Sequence, residues 1–186
     1  LIPGGFGKRG SEGKILVANY SREKQIPFLG ICFGFQLATI AFGRFVCDLE
    51  GANSTELQPD IQHQIIELLP EQKNVDNMGA TMRLGGHDIT IIENTSAHKI
   101  YDTEKIRRRH RHRYEFNLEY RSIFEEKGMI LSGFSDNGRR VEIIEISSHP
   151  FYIATQYHPE FTSRPGKPEE IFFEFIQAAR ERRLVS

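Results

Sequence analysis

The pentapeptide Gly30-Ile31-Cys32-Phe33-Gly34 carries the sharpest chemical signal in the chain. An apolar run precedes it and a helical run follows, so it has the form of a nucleophile elbow with cysteine in the serine position. Reversing from strand to helix strains the backbone at the nucleophile, and a glycine two positions to either side removes side chains that would collide there. At a helix N-terminus the dipole and the free N–H groups favour a thiolate, and the N–H of Phe33 is a natural oxyanion donor. Cys47 has no such surroundings and is expected to be inert packing. A thiolate nucleophile works with a histidine and a group that orients it. Of the seven histidines, His158 is the best placed. In His158-Pro159-Glu160, residues i and i+2 of an extended segment project to one face, so the carboxylate can support the imidazole. His63, His110, His112 and His149 have no carboxylate so disposed. Pro3-Gly4-Gly5-Phe6-Gly7 is the third element, because successive glycines let backbone N–H groups turn toward an anion or a carbonyl oxygen.

Two neighbouring matches are decoys. Gly5-Phe6-Gly7-Lys8-Arg9-Gly10 has the G-x-G-x-x-G form, but Lys8 and Arg9 suit close helix–strand packing poorly and no acid ends a second strand about 20 residues on. A phosphate-binding Walker loop fails because Arg9, not serine or threonine, follows Lys8. The run Arg107-Arg108-Arg109-His110-Arg111-His112-Arg113 admits three readings: a nucleic-acid surface, a solvated loop, or one arginine that binds a carboxylate. Against nucleic acid, the strand-like Arg113-Tyr114-Glu115-Phe116 would send alternate arginines to opposite faces rather than into one groove.

The elements that must position these groups follow from periodicity. Ser11 to Lys24 predicts a helix capped by Ser11 with Ile15, Ala18 and Arg22 at helical spacing. Ile26 to Ile31 predicts a buried strand, and Phe33 to Arg44 a helix that is apolar almost all round. Strand end, helix, strand, helix argues for parallel strands with crossover helices. The second half changes character: Met82–Leu84, Ile89–Glu93, Met129–Phe134, Val141–Ile146 and Phe151–Tyr157 predict strands, with Asp136-Asn137-Gly138 as a hairpin turn. Lys167 to Arg182 predicts an amphipathic helix with Ile171, Phe175 and Ala178 on one face. Asp60 is expected to cap a helix carrying Ile61, Ile65 and Leu68 up to Pro70, and the stretch QKNVDNMG is expected as a loop.

The 186 residues suit one domain. Hydrophobic and charged fractions of 39% and 26% fall in the globular range, and no apolar run is long enough for a membrane helix. A net charge of −1 excludes a generally basic nucleic-acid binder, although Lys105 to Arg113 holds six basic residues and no acid. Two cysteines are too few to staple the fold, so a reducing cytosol is expected. No signal peptide is expected: Leu1-Ile2-Pro3-Gly4-Gly5 reads as the end of a strand entering a turn.

Taken together, GICFG with a downstream HPE resembles the class I, triad-type glutamine amidotransferases. PGGFGKRGSEGK, IPFLGICFGFQ, GANSTE, MRLG, RHRHRYEFN and ATQYHPEFTSRP resemble the glutaminase domains of the CTP synthase family, over nearly the whole chain. The resemblance implies an α/β fold: a three-layer sandwich with a mostly parallel central sheet flanked by helices and a smaller antiparallel region. It implies that the first strand and helix of the domain, and the synthetase domain, are missing from the chain. It also implies roles. Cys32 attacks the side-chain amide of L-glutamine, His158 oriented by Glu160 relays protons, and Gly5 and Phe33 form the oxyanion hole. Phe6 and Gln36 line the pocket, Glu56 receives the α-ammonium and Arg113 the α-carboxylate. Arg9, Gly10 and Glu12 belong to a loop at which GTP is sensed as an allosteric effector. ATP and magnesium would act in the synthetase domain of the same polypeptide, as a homotetramer; the glutaminase domain needs no cofactor or metal of its own. The family usually has leucine and methionine where this chain has Phe33 and Phe35, a change in pocket shape rather than backbone chemistry. A different class I amidotransferase subunit, serving GMP or carbamoyl phosphate synthesis, is the alternative enzyme. A regulatory or RNA-binding module using the arginine run is the alternative without catalysis.

Overall fold

The computed structural model describes residues 1–68 and 82–185. Helix α1 (Ser11–Glu23) leads to strand β1 (Phe28–Ile31), which enters helix α2 (Phe33–Phe45) through a single residue, Cys32. All four β1 residues and all but two of α2 are buried. A strand and helix apolar on every side must lie between layers. Strands β2 (Asn53–Ser54) and β3 (Gln64–Leu68) follow, then β4 (Arg83–Ile91), helix α3 (Ser96–Tyr101), β5 (Lys105–His112), β6 (Tyr114–Phe116) and helix α4 (Arg121–Glu126). The chain ends with β7 (Ile130–Ser135), β8 (Arg140–Glu145), β9 (Tyr152–Thr155) and helix α5 (Glu170–Val185).

Six strands form one sheet in the order β1-β9-β8-β7-β4-β5, and β2, β3 and β6 form a second. Side chains alternate across the large sheet. Phe28, Tyr152 and Ala154 pack under α1 and α2, whereas Leu29, Ile31 and Ile153 pack with Ala97, Tyr101 and Ile171 of α3 and α5. That places helices on both faces and bears out the layered α/β class. The expectation of a mostly parallel sheet is corrected. Among the described residues, Ile2 beside Gly30 and β1 beside β9 run parallel in it, and the other pairs are antiparallel. The cause is local: tight connections such as Asp136-Asn137-Gly138, with Asn137 at φ 57°, return the chain alongside itself.

Other expectations shift for similar reasons. The helix predicted from Asp60 is the strand β3, whose Ile66 sits between Ser54 of β2 and Phe116 of β6. Ser11 is not the cap of α1. Gly10 occupies that position at φ 72°, and the Ser11 hydroxyl donates to the Lys8 carbonyl. The two short strands expected at 82–84 and 89–93 are one nine-residue strand, β4. The stretch QKNVDNMG lies outside the described residues. The arginine run is not a loop: it lies in β5, with Ile106, His110 and His112 buried and Arg107, Arg109 and Arg111 turned outward.

Although β5 is an edge strand, it is pinned from inside. Glu142 of β8 is fully buried and accepts from His110 Nε2 at 2.7 Å, Arg83 at 2.5 Å and Ser135 at 2.5 Å. The sheet therefore curls until the N–H of His158, just past β9, donates to the Arg109 carbonyl of β5 at 2.9 Å. Two residues along β5 from His110, Arg108 donates to Glu169 at 2.7 Å, Tyr101 donates to the same carboxylate at 2.9 Å, and the Tyr101 hydroxyl meets that of Tyr157 at 2.8 Å. These buried pairs fix the chain on both sides of His158. No described helix is long and apolar enough to cross a membrane.

Candidate active site

Cys32 adopts φ 50°, ψ −97°, a backbone conformation that an L-residue holds only when its surroundings enforce it. Its N–H is anchored on the Thr155 carbonyl at 2.7 Å. The glycines of the pentapeptide are steric requirements. A Cβ at Gly30 would lie 2.7 Å from the Gly34 carbonyl oxygen, and one at Gly34 would lie 2.2 Å from that of Ile2. The turn is thus closed against both its own helix and the Ile2 edge. Gly4 has the same property toward the chemistry, since an added Cβ would meet His158 Cε1 at 2.9 Å and Cys32 Cβ at 3.8 Å. The glycine-rich segment, the nucleophile and the base therefore share one point in space.

Glu160 follows His158 in a 3-10 turn, and its carboxylate meets His158 Nδ1 at 2.6 Å. That leaves Nε2 for the chemistry. Nε2 is buried and makes no hydrogen bond of ordinary geometry, and the neighbour left to it is the Cys32 thiol. Such looseness is usual before substrate arrives. Burial pushes the His158 pKa down, but the hydrogen bonds and negative charges of Cys32 and Glu160 outweigh it and raise it to about 10. His158 is thus held as the imidazolium beside the Cys32 sulfur. Phe161 stacks on the imidazole at 4.8 Å and keeps the ring in plane.

A cavity of about 670 Å³ opens in front of Cys32, lined among others by Gly5, Phe6, Gln36, Glu56, Arg113 and His158. Every residue expected to bind substrate reaches it. As the first residue of α2, Phe33 has an N–H without an intrahelical acceptor. A Cβ on Gly5 would come within 3.6 Å of the Phe33 ring, so the two residues expected to supply the oxyanion donors are neighbours. Phe6 stands 88% exposed at the mouth. Glu56 accepts the Gly7 N–H at 3.0 Å, tying the glycine-rich segment to the pocket wall. Glu56 and Arg113 both act on the Tyr114 hydroxyl. Burial and the Glu56 carboxylate raise its pKa, and Arg113 lowers it. The cavity thus holds an anion and a cation at separate places, the arrangement a zwitterion requires.

The effector-loop residues do not join this group. Glu12 is paired with Arg44 at 2.7 Å, Gly10 caps α1, and Arg9 is exposed outside the cavity lining. Sequence reading missed Met82, Arg111, His112 and Tyr114 as cavity walls. All four sit in quoted blocks, but only the curl of the sheet turns them toward Cys32. A larger concavity of about 820 Å³ lies between β4, β5 and the β7–β8 hairpin. Its Ser135 is committed to Glu142, and its Lys105 and Arg107 are paired with Asp88.

Comparison with known proteins agrees with this geometry. The glutamine amidotransferase class-I family matches residues 1–178. CTP synthase from Archaeoglobus fulgidus is 57% identical over 96% of this chain, and that from Halalkalibacterium halodurans is 56% identical over the same share. In both cases the match spans 34% of the relative, so the chain is about a third of the length of those proteins. Among solved structures, the glutaminase domain of Trypanosoma brucei CTPS with bound acivicin superposes with a TM-score of 0.90 at 38% identity, covering 96% of this chain and 69% of that one.

Proposed function

The chain belongs to the class-I glutamine amidotransferases, among the glutaminase domains of CTP synthases, and from that premise we propose that it hydrolyses the side-chain amide of L-glutamine to supply ammonia for the ATP-dependent amination of UTP to CTP. The observation that carries the hydrolysis is the convergence of Cys32, the His158–Glu160 pair and the Gly5–Phe33 backbone on one cavity that also presents Glu56 and Arg113.

The Cys32 thiolate attacks the amide carbon, and the carbonyl oxygen takes up negative charge against the N–H groups of Gly5 and Phe33. Forming the carbon–sulfur bond removes the thiolate charge that held the proton on His158. The imidazolium then gives that proton to the departing nitrogen, ammonia leaves, and a glutamyl thioester remains. Neutral His158 next takes a proton from water. The hydroxide opens the thioester, glutamate leaves, and the thiolate–imidazolium pair is restored. Glu56 and Arg113 hold the α-ammonium and α-carboxylate, so the length between these poles and Cys32 selects glutamine.

The amination belongs to a synthetase domain of the same polypeptide, with ATP and magnesium bound there, in keeping with the two thirds of the curated relatives that lie outside this match. GTP is proposed as the effector at Arg9-Gly10-Ser11-Glu12. This loop offers the exposed Arg9, but its Glu12 is committed to Arg44, and no step is routed through it. A thiolate nucleophile and two free cysteines suit a reducing cytoplasm.

Treating the complete protein with a glutamine-mimicking diazo ketone tests the reading. One adduct is expected, on Cys32, with ammonia release abolished in Cys32→Ala. Labelling elsewhere, or none, overturns it. Dependence of ammonia release on UTP, ATP and GTP would tie the domain to CTP formation rather than to another amination.

A further inference from the structure

We propose that Gln156 is a further catalytic residue of this site, its carboxamide donating a hydrogen bond to the Cys32 sulfur, and that Gln36 and the Tyr114 carbonyl fix the amide in the orientation that does so. This rests on Cys32 being the nucleophile assigned above.

Gln156 lies between β9 and His158, is fully buried, and has its own N–H anchored on the Glu142 carbonyl at 2.9 Å. Its Nε2 is 3.8 Å from Cys32 Sγ, and its Oε1 is 3.4 Å from Gln36 Nε2. Chemistry alone settles which end of each amide points where. The Tyr114 carbonyl, 2.8 Å from the Gln36 side chain, only accepts, so the Gln36 nitrogen must face it. The second hydrogen of that nitrogen then faces Gln156, which must answer with its oxygen. The Gln156 nitrogen is left pointing at the sulfur. A flipped Gln156 would set oxygen against the sulfur and nitrogen against nitrogen, two repulsive contacts at a fully buried side chain.

The sulfur needs such a donor. Its other close neighbour besides His158 is the Arg111 carbonyl at 3.8 Å, which suits a thiol that donates and opposes a thiolate. When the proton moves to His158, that carbonyl faces bare negative charge, and the Gln156 N–H offsets it. The other charged or titratable groups around the sulfur are Glu160 behind His158, and Glu56, Arg111, His112, Arg113 and Tyr114 in the cavity wall. Among the described residues, Gln156 is the side chain whose amide N–H meets Sγ.

The test is the pH profile of iodoacetamide alkylation of the Cys32 peptide, followed by mass spectrometry in the complete protein. Cys47 is an internal reference, because burial, with Lys127 opposing and Asp48 adding, pushes its thiol up to about 11. Gln156→Met keeps the bulk and removes the donor. It should slow alkylation at neutral pH about tenfold and move the midpoint up by about one pH unit. Gln156→Glu, which sets a carboxylate against the sulfur, should slow it further. A folded Gln156→Met with an unchanged profile overturns the proposal. If Gln156→Met does not fold, Gln36→Met, which frees the Gln156 amide to rotate, must slow alkylation, and an unchanged profile there overturns it equally. Alkylation reads the sulfur without glutamine, so it decides this proposal independently of whether glutamine is hydrolysed.

Discussion

The proton between Cys32 and His158 is governed by side chains that the sequence makes unequally visible. Cys32 and His158-Pro159-Glu160 announce themselves because the backbone demands on them are local: an elbow needs its flanking glycines, and a carboxylate two residues from a histidine reaches the same imidazole. Gln156 and Glu56 carry no local signature, since each depends on a segment distant in sequence. The raised His158 pKa gives a prediction. His158 stays charged until the pH rises through about 10, so its contribution to stability is complete below about 6.5 and is lost as the pH rises from there through about 10. Glu160→Gln keeps an oxygen at Nδ1 but removes the charge. The alkaline limb of the pH profile for glutamine hydrolysis should then move down by about one unit or more. A limb that stays in place would mean that Cys32 alone holds the imidazolium.

At the scale of elements, α2 depends on the closeness of its first turn to the Ile2 edge. Ile2 donates to the Leu29 carbonyl and accepts from Ile31, each at 2.9 Å, and so carries Gly4 and Gly5 to the nucleophile. Gly34→Ala would drive a methyl group into the Ile2 carbonyl at 2.2 Å. The expected cost is about 2–3 kcal/mol in thermal unfolding, with glutamine hydrolysis falling further than the fraction unfolded explains, because the oxyanion segment is displaced. Activity that tracks stability alone would contradict this. Elements with one-sided or all-round apolar patterns were legible, as with α1, α2, β1 and α5. The segment from Asp60 was not: Ile61, Ile65 and Leu68 mimic helical spacing, yet pairing with β2 and β6 makes it a strand. The strand directions were illegible for the same reason. Alternation reveals that a segment is a strand but not which neighbour it meets.

Over the whole molecule, the charges buried beneath β5 set the response to acid. Burial pushes Glu142 up, but the hydrogen bond and charge of His110, with Arg83 and His112, bring it to about 2. Its contribution is complete above about 4.5 and lost as the pH falls toward 2. His112, pushed down to about 3 chiefly by burial, loses its contribution as the pH falls from 6.5 toward 3. Glu115 has the opposite sign. Burial raises it to about 7 despite Arg140 at 2.5 Å, so its contribution is present below 4.5 and lost as the pH rises through about 7. Glu115 therefore offsets His112 between pH 6.5 and 4.5, and the two largest losses combine only in stronger acid. The thermal midpoint, followed by circular dichroism, should change little from pH 7 to 4.5 and drop steeply below it. A steepest slope above pH 4.5 would refute this assignment.

The curl that brings Arg109 to His158 also sets a timetable for synthesis. Gln156 lies 124 residues after Cys32, and the imidazole that receives the thiol proton comes later still. At a translation rate of about 5–20 residues per second, the ribosome finishes the nucleophile some 6–25 seconds before the groups that ionise it. Until β5 has wrapped against the end of β9, the newborn chain carries Cys32 without the imidazole and the amide that meet its sulfur in the finished fold.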